Sequence, residues 1–188
     1  MLQRRHSKQT VRTLIAFLWL SASLVLPCEP SFCADAGPLV ISVPEGFEGP
    51  IRSEEDGGVT IGWVKRQPGK DGGTLLQVSA VDVGTSLDGI SPAQQAEGAR
   101  HYLLEFVNGI GQRRRNFELG DIEQVSLAGL PAARVRWTGA VGDNAAIGVM
   151  YCVLVGHSVV SLHTQDVGST ITAAMYSAMS AIEHVRVR

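Results

Sequence analysis

AAIGVMYCVLVGHSVVSLHTQ, residues 145–165, decides the fold. Two apolar runs, 145–155 and 158–165, stand on either side of Gly156-His157. Both are rich in valine and apolar on both faces, which predicts central strands covered on both sides. Two residues between them leave room only for a tight turn, with Gly156 taking the backbone angle that side chains resist. Two more strands are expected just upstream, over 118–127 and 132–138, separated by Gly129-Leu130-Pro131. In Ala133-Arg134-Val135-Arg136-Trp137 the alternation is strict, so one face is buried and the arginines point the other way.

Farther out the pattern changes. Downstream, Ile171, Ala174, Met175, Ala178 and Ile182 share one helical face. Upstream, Ser91-Pro92 with Gln94 makes a helix start with a capping box. Ala96, Ala99, Leu103, Phe106, Val107 and Ile110 then form one apolar stripe, stopped by Gly109 and Gly111. Before that helix come strand candidates at 39–43, 59–64 and 74–83. The stretch Pro68-Gly69-Lys70-Asp71-Gly72-Gly73 is turn chemistry that joins the last two as a hairpin, while Gly49-Pro50 reads as a turn. The order is three strands, helix, four strands, helix. Alternating βαβ units are absent, so the expected class is α+β: an antiparallel sheet of about six or seven strands with two main helices packed on it.

Two motifs carry a resemblance. Val43-Pro44-Glu45-Gly46-Phe47, and Leu127-Ala128-Gly129-Leu130-Pro131-Ala132 leading into a strand, resemble the PsbP-like α/β/α sandwich family, including small exported bacterial proteins of the DcrB type. The motifs are turn punctuation and carry no chemistry. What the resemblance implies is architecture, with an assembly, accessory or stress-related role and no shared catalytic site.

The first 36 residues read as a targeting signal. Arg4, Arg5, Lys8 and Arg12 open the chain, an apolar run spans Leu14 to Leu26, and Ala34-Asp35-Ala36 supplies a small-x-small cleavage pattern. The run falls short of the ~20 residues that cross a bilayer. Arg4-Arg5 lacks a twin-arginine context, and the residues before Cys28 and Cys33 are Pro27 and Phe32, where lipidation needs a small one. Cleavage after Ala36 leaves residues 37–188 as a single domain, periplasmic or secreted, with no stable membrane insertion. That portion holds 12 basic and 16 acidic residues and one cysteine, Cys152. A net charge of −2 for the whole chain argues against nucleic acid, and one thiol leaves the fold to stand on packing alone.

Chemistry-bearing patterns are sparse. Gly156-His157-Ser158-Val159-Val160 lacks the final glycine of a nucleophile elbow and leads into a strand. Ser158, His163 and Asp166 are close in sequence, but Ser158 falls on the opposite strand face from His163. The histidines show no metal spacing, and Asp82 and Asp88 around Gly84-Thr85-Ser86 do not match a calcium loop. Cys152, in the most apolar strand, reads as a buried, inert thiol. No catalytic residue, metal or cofactor is therefore expected. The densest charge is Arg113, Arg114 and Arg115, a candidate docking patch for an acidic partner, which Arg134 and Arg136 extend if they share its side. The expected function is non-catalytic binding of an envelope protein partner. The alternative is a small exported hydrolase or ligand-binding protein with a pocket between sheet and helix.

Overall fold

The computed structural model describes residues 33–55, 57–67, 72–84, 87 and 89–188. The elements run in the order β1 Cys33–Ala36, β2 Leu39–Ser42, β3 Glu48–Glu55, β4 Gly58–Arg66, β5 Gly73–Asp82, α1 Pro92–Gly111, β6 Arg115–Leu119, β7 Glu123–Leu127, β8 Leu130–Val141, β9 Asn144–Val155, β10 Ser158–Val167, α2 Ala173–Glu183 and β11 Arg186–Val187. One eight-stranded sheet has the order β3-β4-β5-β10-β9-β8-β6, with β7 also on β8. A smaller sheet, β1-β2-β11, accompanies it. Every pairing is antiparallel.

β9 and β10 are the central hairpin their composition predicts. Val149 to Val155 and Val159 to Thr164 are buried without a break, and Gly156 turns with φ +59°. Side chains alternate between two cores. One holds Val149, Tyr151, Val153, Val160 and Leu162 with Met175, Ala178 and Ile182 of α2 and Leu39 and Ile41 of β2. The other holds Met150, Cys152, Leu154 and Val159 with Val135 and Trp137 of β8 and Ala99, Leu103 and Val107 of α1. The sheet therefore carries α1 on one face and α2 with the small sheet on the other. Ser91 caps α1, its hydroxyl accepting from the Gln94 backbone N–H while the Gln94 side chain accepts from the Ser91 N–H. Thr172 caps α2 by accepting from the Met175 N–H.

The structure departs from the sequence expectations in four places. The segment 118–127 is two strands: β6 and β7 share β8 end to end, and the Gly120 N–H donates to the Arg136 carbonyl between them. Residues 48–55, of which only Gly49-Pro50 is expected from sequence to turn, form β3, an edge strand with an irregularity between Glu48 and Ile51. Its sequence is polar because an edge strand buries little. The two-residue β11 was too short to read. β1 lies within the expected cleavable segment, where Ala36 pairs with Leu39. A cut after Ala36 would remove β1 and leave β2 paired to β11 alone. The basic and apolar portions of that segment, the 68–71 portion of the predicted hairpin turn and residues 85, 86 and 88 of the Asp82–Asp88 loop lie outside the described residues.

Candidate binding face

On the α1 side, the register lays three rows of side chains across the sheet. One runs Trp137, Gly148, Gln165, Leu75, Val64. The next runs Val135, Met150, His163, Gln77, Gly62, Ile51, and the third Ala133, Cys152, Ser161, Ser79, Thr60, Ser53. Each row starts apolar beneath α1. Past β10, where α1 no longer reaches, the first continues through Leu75 and Val64 to Glu48, the second turns to Gln77, Gly62 and Ile51, and only the third is polar throughout. The burial of β5 shows the consequence: Thr74, Leu76, Val78 and Ala80 are buried on the α2 side, while Leu75, Gln77 and Ser79 stay partly exposed on the other. Ile51 is 54% exposed at the end of its row. The hydroxyls of Thr60 and Ser79 lie 2.9 Å apart, and Gln77 Nε2 donates to Ser79 Oγ at 3.2 Å. β3, β4 and β5 thus present a half-face of hydrogen-bonding and apolar side chains, edged by the Arg66–Glu48 ion pair, that no other described element covers.

An aromatic and cationic cluster walls this face where α1 ends. Trp137 crosses the sheet over Gly148, where a Cβ would overlap the indole atoms Cε2, Cζ2 and Nε1. Phe117 stacks on Trp137 at 5.8 Å between centroids, and His163 lies 5.7 Å away on another side. Above them the Arg114 guanidinium sits 5.7 Å from the Trp137 ring centroid, in the geometry of a cation–π contact. Its Nη2 donates to Gln165 Oε1 at 3.3 Å and its Nη1 to the Arg113 carbonyl at 3.4 Å, both long bonds to neutral acceptors. Arg114 Nε, Trp137 Nε1 and His163 Nε2 are buried with no hydrogen-bond partner among the described residues. Burial lowers the Arg114 pKa, and the Arg113 charge lowers it further. Burial, then the Arg114 charge, pulls the His163 pKa down to about 3, so the imidazole is neutral.

The three arginines of the expected docking patch diverge. Arg113 is exposed. Arg114 turns inward over Trp137. Arg115 belongs to β6, with its Nη2 donating to Asp143 Oδ1 at 2.6 Å and to the Gly142 carbonyl. Arg134 does not extend the patch, because it lies on the other face over Tyr151, 5.9 Å from the ring centroid. Nor does it point freely to solvent: Glu123 accepts from it at 2.5 Å and Glu183 at 3.4 Å. The sequence alone singles out none of Trp137, Gln165, Gln77 and Ser79 as a site residue. The alternation Leu76-Gln77-Val78-Ser79-Ala80 was the available sign that one face of β5 is polar.

Ser158, His163 and Asp166 do not assemble. Asp166 lies on the α2 face, accepting from Thr74 Oγ1 at 2.5 Å and from the Thr172 N–H at 2.7 Å. Cys152 is fully buried, and burial pushes its thiol up to about 12. A groove of about 470 Å³ runs between the first turns of α1 and β7, with Glu97, Arg100 and Gln124 on its walls. Among the described residues, no three His, Cys, Asp or Glu side chains gather in a metal-binding group, and no helix is long and apolar enough to cross a membrane.

An antiparallel sheet between α1 on one side and α2 with a small sheet on the other defines a PsbP-like α+β sandwich. Solved structures share it. A cyanobacterial PsbP from Synechocystis sp. PCC 6803 superimposes with a TM-score of 0.51 at 14% identity, over 90% of this chain and 99% of that one. LpqN of Mycobacterium tuberculosis, described as involved in cell envelope biogenesis, gives 0.51 at 16% identity over 85% and 86%. The Ran-binding protein Mog1p of Saccharomyces cerevisiae gives 0.53 at 11% identity over 84% and 95%. No family model and no curated protein matches the sequence. The narrower DcrB-type resemblance rests on the sequence motifs alone.

Proposed function

We propose that this chain is an exported envelope protein that works by binding a protein partner, without catalysis, and that the uncovered half-face of β3, β4 and β5 is its binding face. The observation that carries the reading is the asymmetry of β4 and β5, buried on the α2 side and partly exposed on the other. A sheet face with hydrogen-bonding side chains and an aromatic–arginine wall has the composition of a non-obligate interface. Export is supported by the basic start, the apolar run and the Ala34-Asp35-Ala36 pattern. Two proteins with this fold, one described as Ran-binding and one as involved in envelope biogenesis, are consistent with it.

A photo-crosslinking residue at Gln77, with one at the exposed Arg136 on the opposite face as control, tests the reading in intact cells. A discrete adduct from position 77 alone is expected. Equal adducts from both positions, or none from 77, would contradict it. The groove beside α1 favours a second reading, a small ligand held between Glu97, Arg100 and Gln124. Native mass spectrometry showing a bound mass that Arg100→Ala removes would bring that reading forward.

A further inference from the structure

Arg114 is a half-buried cation without a counter-charge. Its guanidinium lies over Trp137, and its hydrogen bonds go to the Gln165 side chain and the Arg113 carbonyl. Among the described residues no carboxylate pairs with it. A partly desolvated charge with only long, neutral bonds is unfavourable unless something completes it. The adjoining face offers Gln77, Ser79 and Thr60, neutral hydrogen-bonding groups, and its charges Arg66 and Glu48, at the far edge, pair with each other.

We infer that Arg114 is the anchor for a carboxylate carried by an acidic side chain of the protein that docks on this half-face. This rests on the binding-face reading above and names the chemistry that face recognises. The fork of a guanidinium matches the two oxygens of a carboxylate. One cation without a paired carboxylate, beside neutral hydrogen-bonding groups, fits a single negative charge, whereas a phosphate dianion calls for more. The indole beneath prevents the guanidinium from folding down, so little rotamer freedom remains to be lost on binding. Three features therefore converge: an unpaired cation, a rigid aromatic support and a polar rim that supplies further hydrogen bonds.

The Trp137 indole N–H gives a reporter beside the anchor. The test is an NMR titration of the isotope-labelled protein, as its host produces it, with three probes at constant ionic strength: N-acetylglutamate α-amide, acetate and the uncharged N-acetylglutamine α-amide. The Trp137 indole resonance is expected to shift saturably with the glutamate probe and not with the glutamine probe. In Arg114→Gln that shift should weaken about tenfold or vanish, and Arg114→Lys, which keeps charge without the fork, should fall between. Arg113→Gln should leave it unchanged. Binding of the glutamate probe tighter than acetate supports a protein side chain as the source. Acetate binding as tightly or more tightly would overturn that source in favour of a free small carboxylate. No saturable shift, or one that survives in Arg114→Gln, overturns the anchor. Crosslinking from Gln77 that persists in that case would leave the binding face standing and remove only the carboxylate.

Discussion

The two faces of the sheet each hold an arginine over an aromatic ring, and they solve the same electrostatic problem differently. Arg134 lies over Tyr151 on the α2 face and is closed by Glu123 and Glu183, while the Tyr151 hydroxyl also donates to Glu183 at 2.9 Å. The Glu123 hydrogen bond raises the Arg134 pKa, and Arg134 in turn lowers that of Glu123. Burial, the largest cause, pushes Tyr151 up to about 12. That network ties β7, β8, β9 and the end of α2 together. Arg114 over Trp137 has the same shape without the acids, and burial lowers its pKa instead. A charge compensated within the chain holds the fold together. A half-buried charge that no carboxylate among the described residues closes is open to a counter-charge from a partner.

Substitutions on the two sides sharpen this contrast, beginning with the support beneath Arg114. Gly148→Val drives branched carbons into the Trp137 indole and should cost about 3 kcal/mol in urea unfolding. Arg134→Met leaves two glutamates and a tyrosine hydroxyl facing an apolar chain, a loss of about 2 kcal/mol by the same assay. The effect of His163 appears with pH. Its folded pKa is depressed to about 3, so below its ordinary value the unfolded state takes up a proton that the folded state refuses. Stability should therefore fall as pH drops from about 6.5 toward 3, by about 1 kcal/mol between pH 6 and pH 5 from this group alone. His163→Leu should flatten that slope in calorimetric scans across the same range, and an unchanged slope would assign the acid sensitivity elsewhere. Smallest is Arg114→Met, which keeps a flexible stem over Trp137 and should change stability by less than about 1 kcal/mol. A loss equal to that of Arg134→Met would make Arg114 a structural staple too and erase the contrast.

What could be read from the sequence follows from which physical signals are local. β9 and β10 are legible because burial on both faces leaves an unbroken apolar run, and α1 because its cap and stripe lie within one segment. β3 is not, since an edge strand carries neither pattern and Gly49-Pro50 argues for a turn. The Arg113–Arg115 charge cluster stood out, but the divergence of its side chains is set by the exit from α1 into β6. The contact of Arg114 with Trp137, and the place of Trp137 over Gly148 beside His163, depend on the register of three strands. Nothing within a single strand encodes that register. The uncovered half-face needed both the alternation in β5 and the knowledge of how far α1 reaches.

The crosslinking yield from Gln77 in an Arg114→Met background, compared with the same crosslinker in otherwise unaltered protein, tests the account most directly. The protein should remain folded while the adduct falls about tenfold, the loss expected when a charge-assisted, bidentate contact disappears. An undiminished adduct from stable protein would contradict the account, because partner binding would then not depend on the half-buried Arg114 charge that no carboxylate among the described residues pairs.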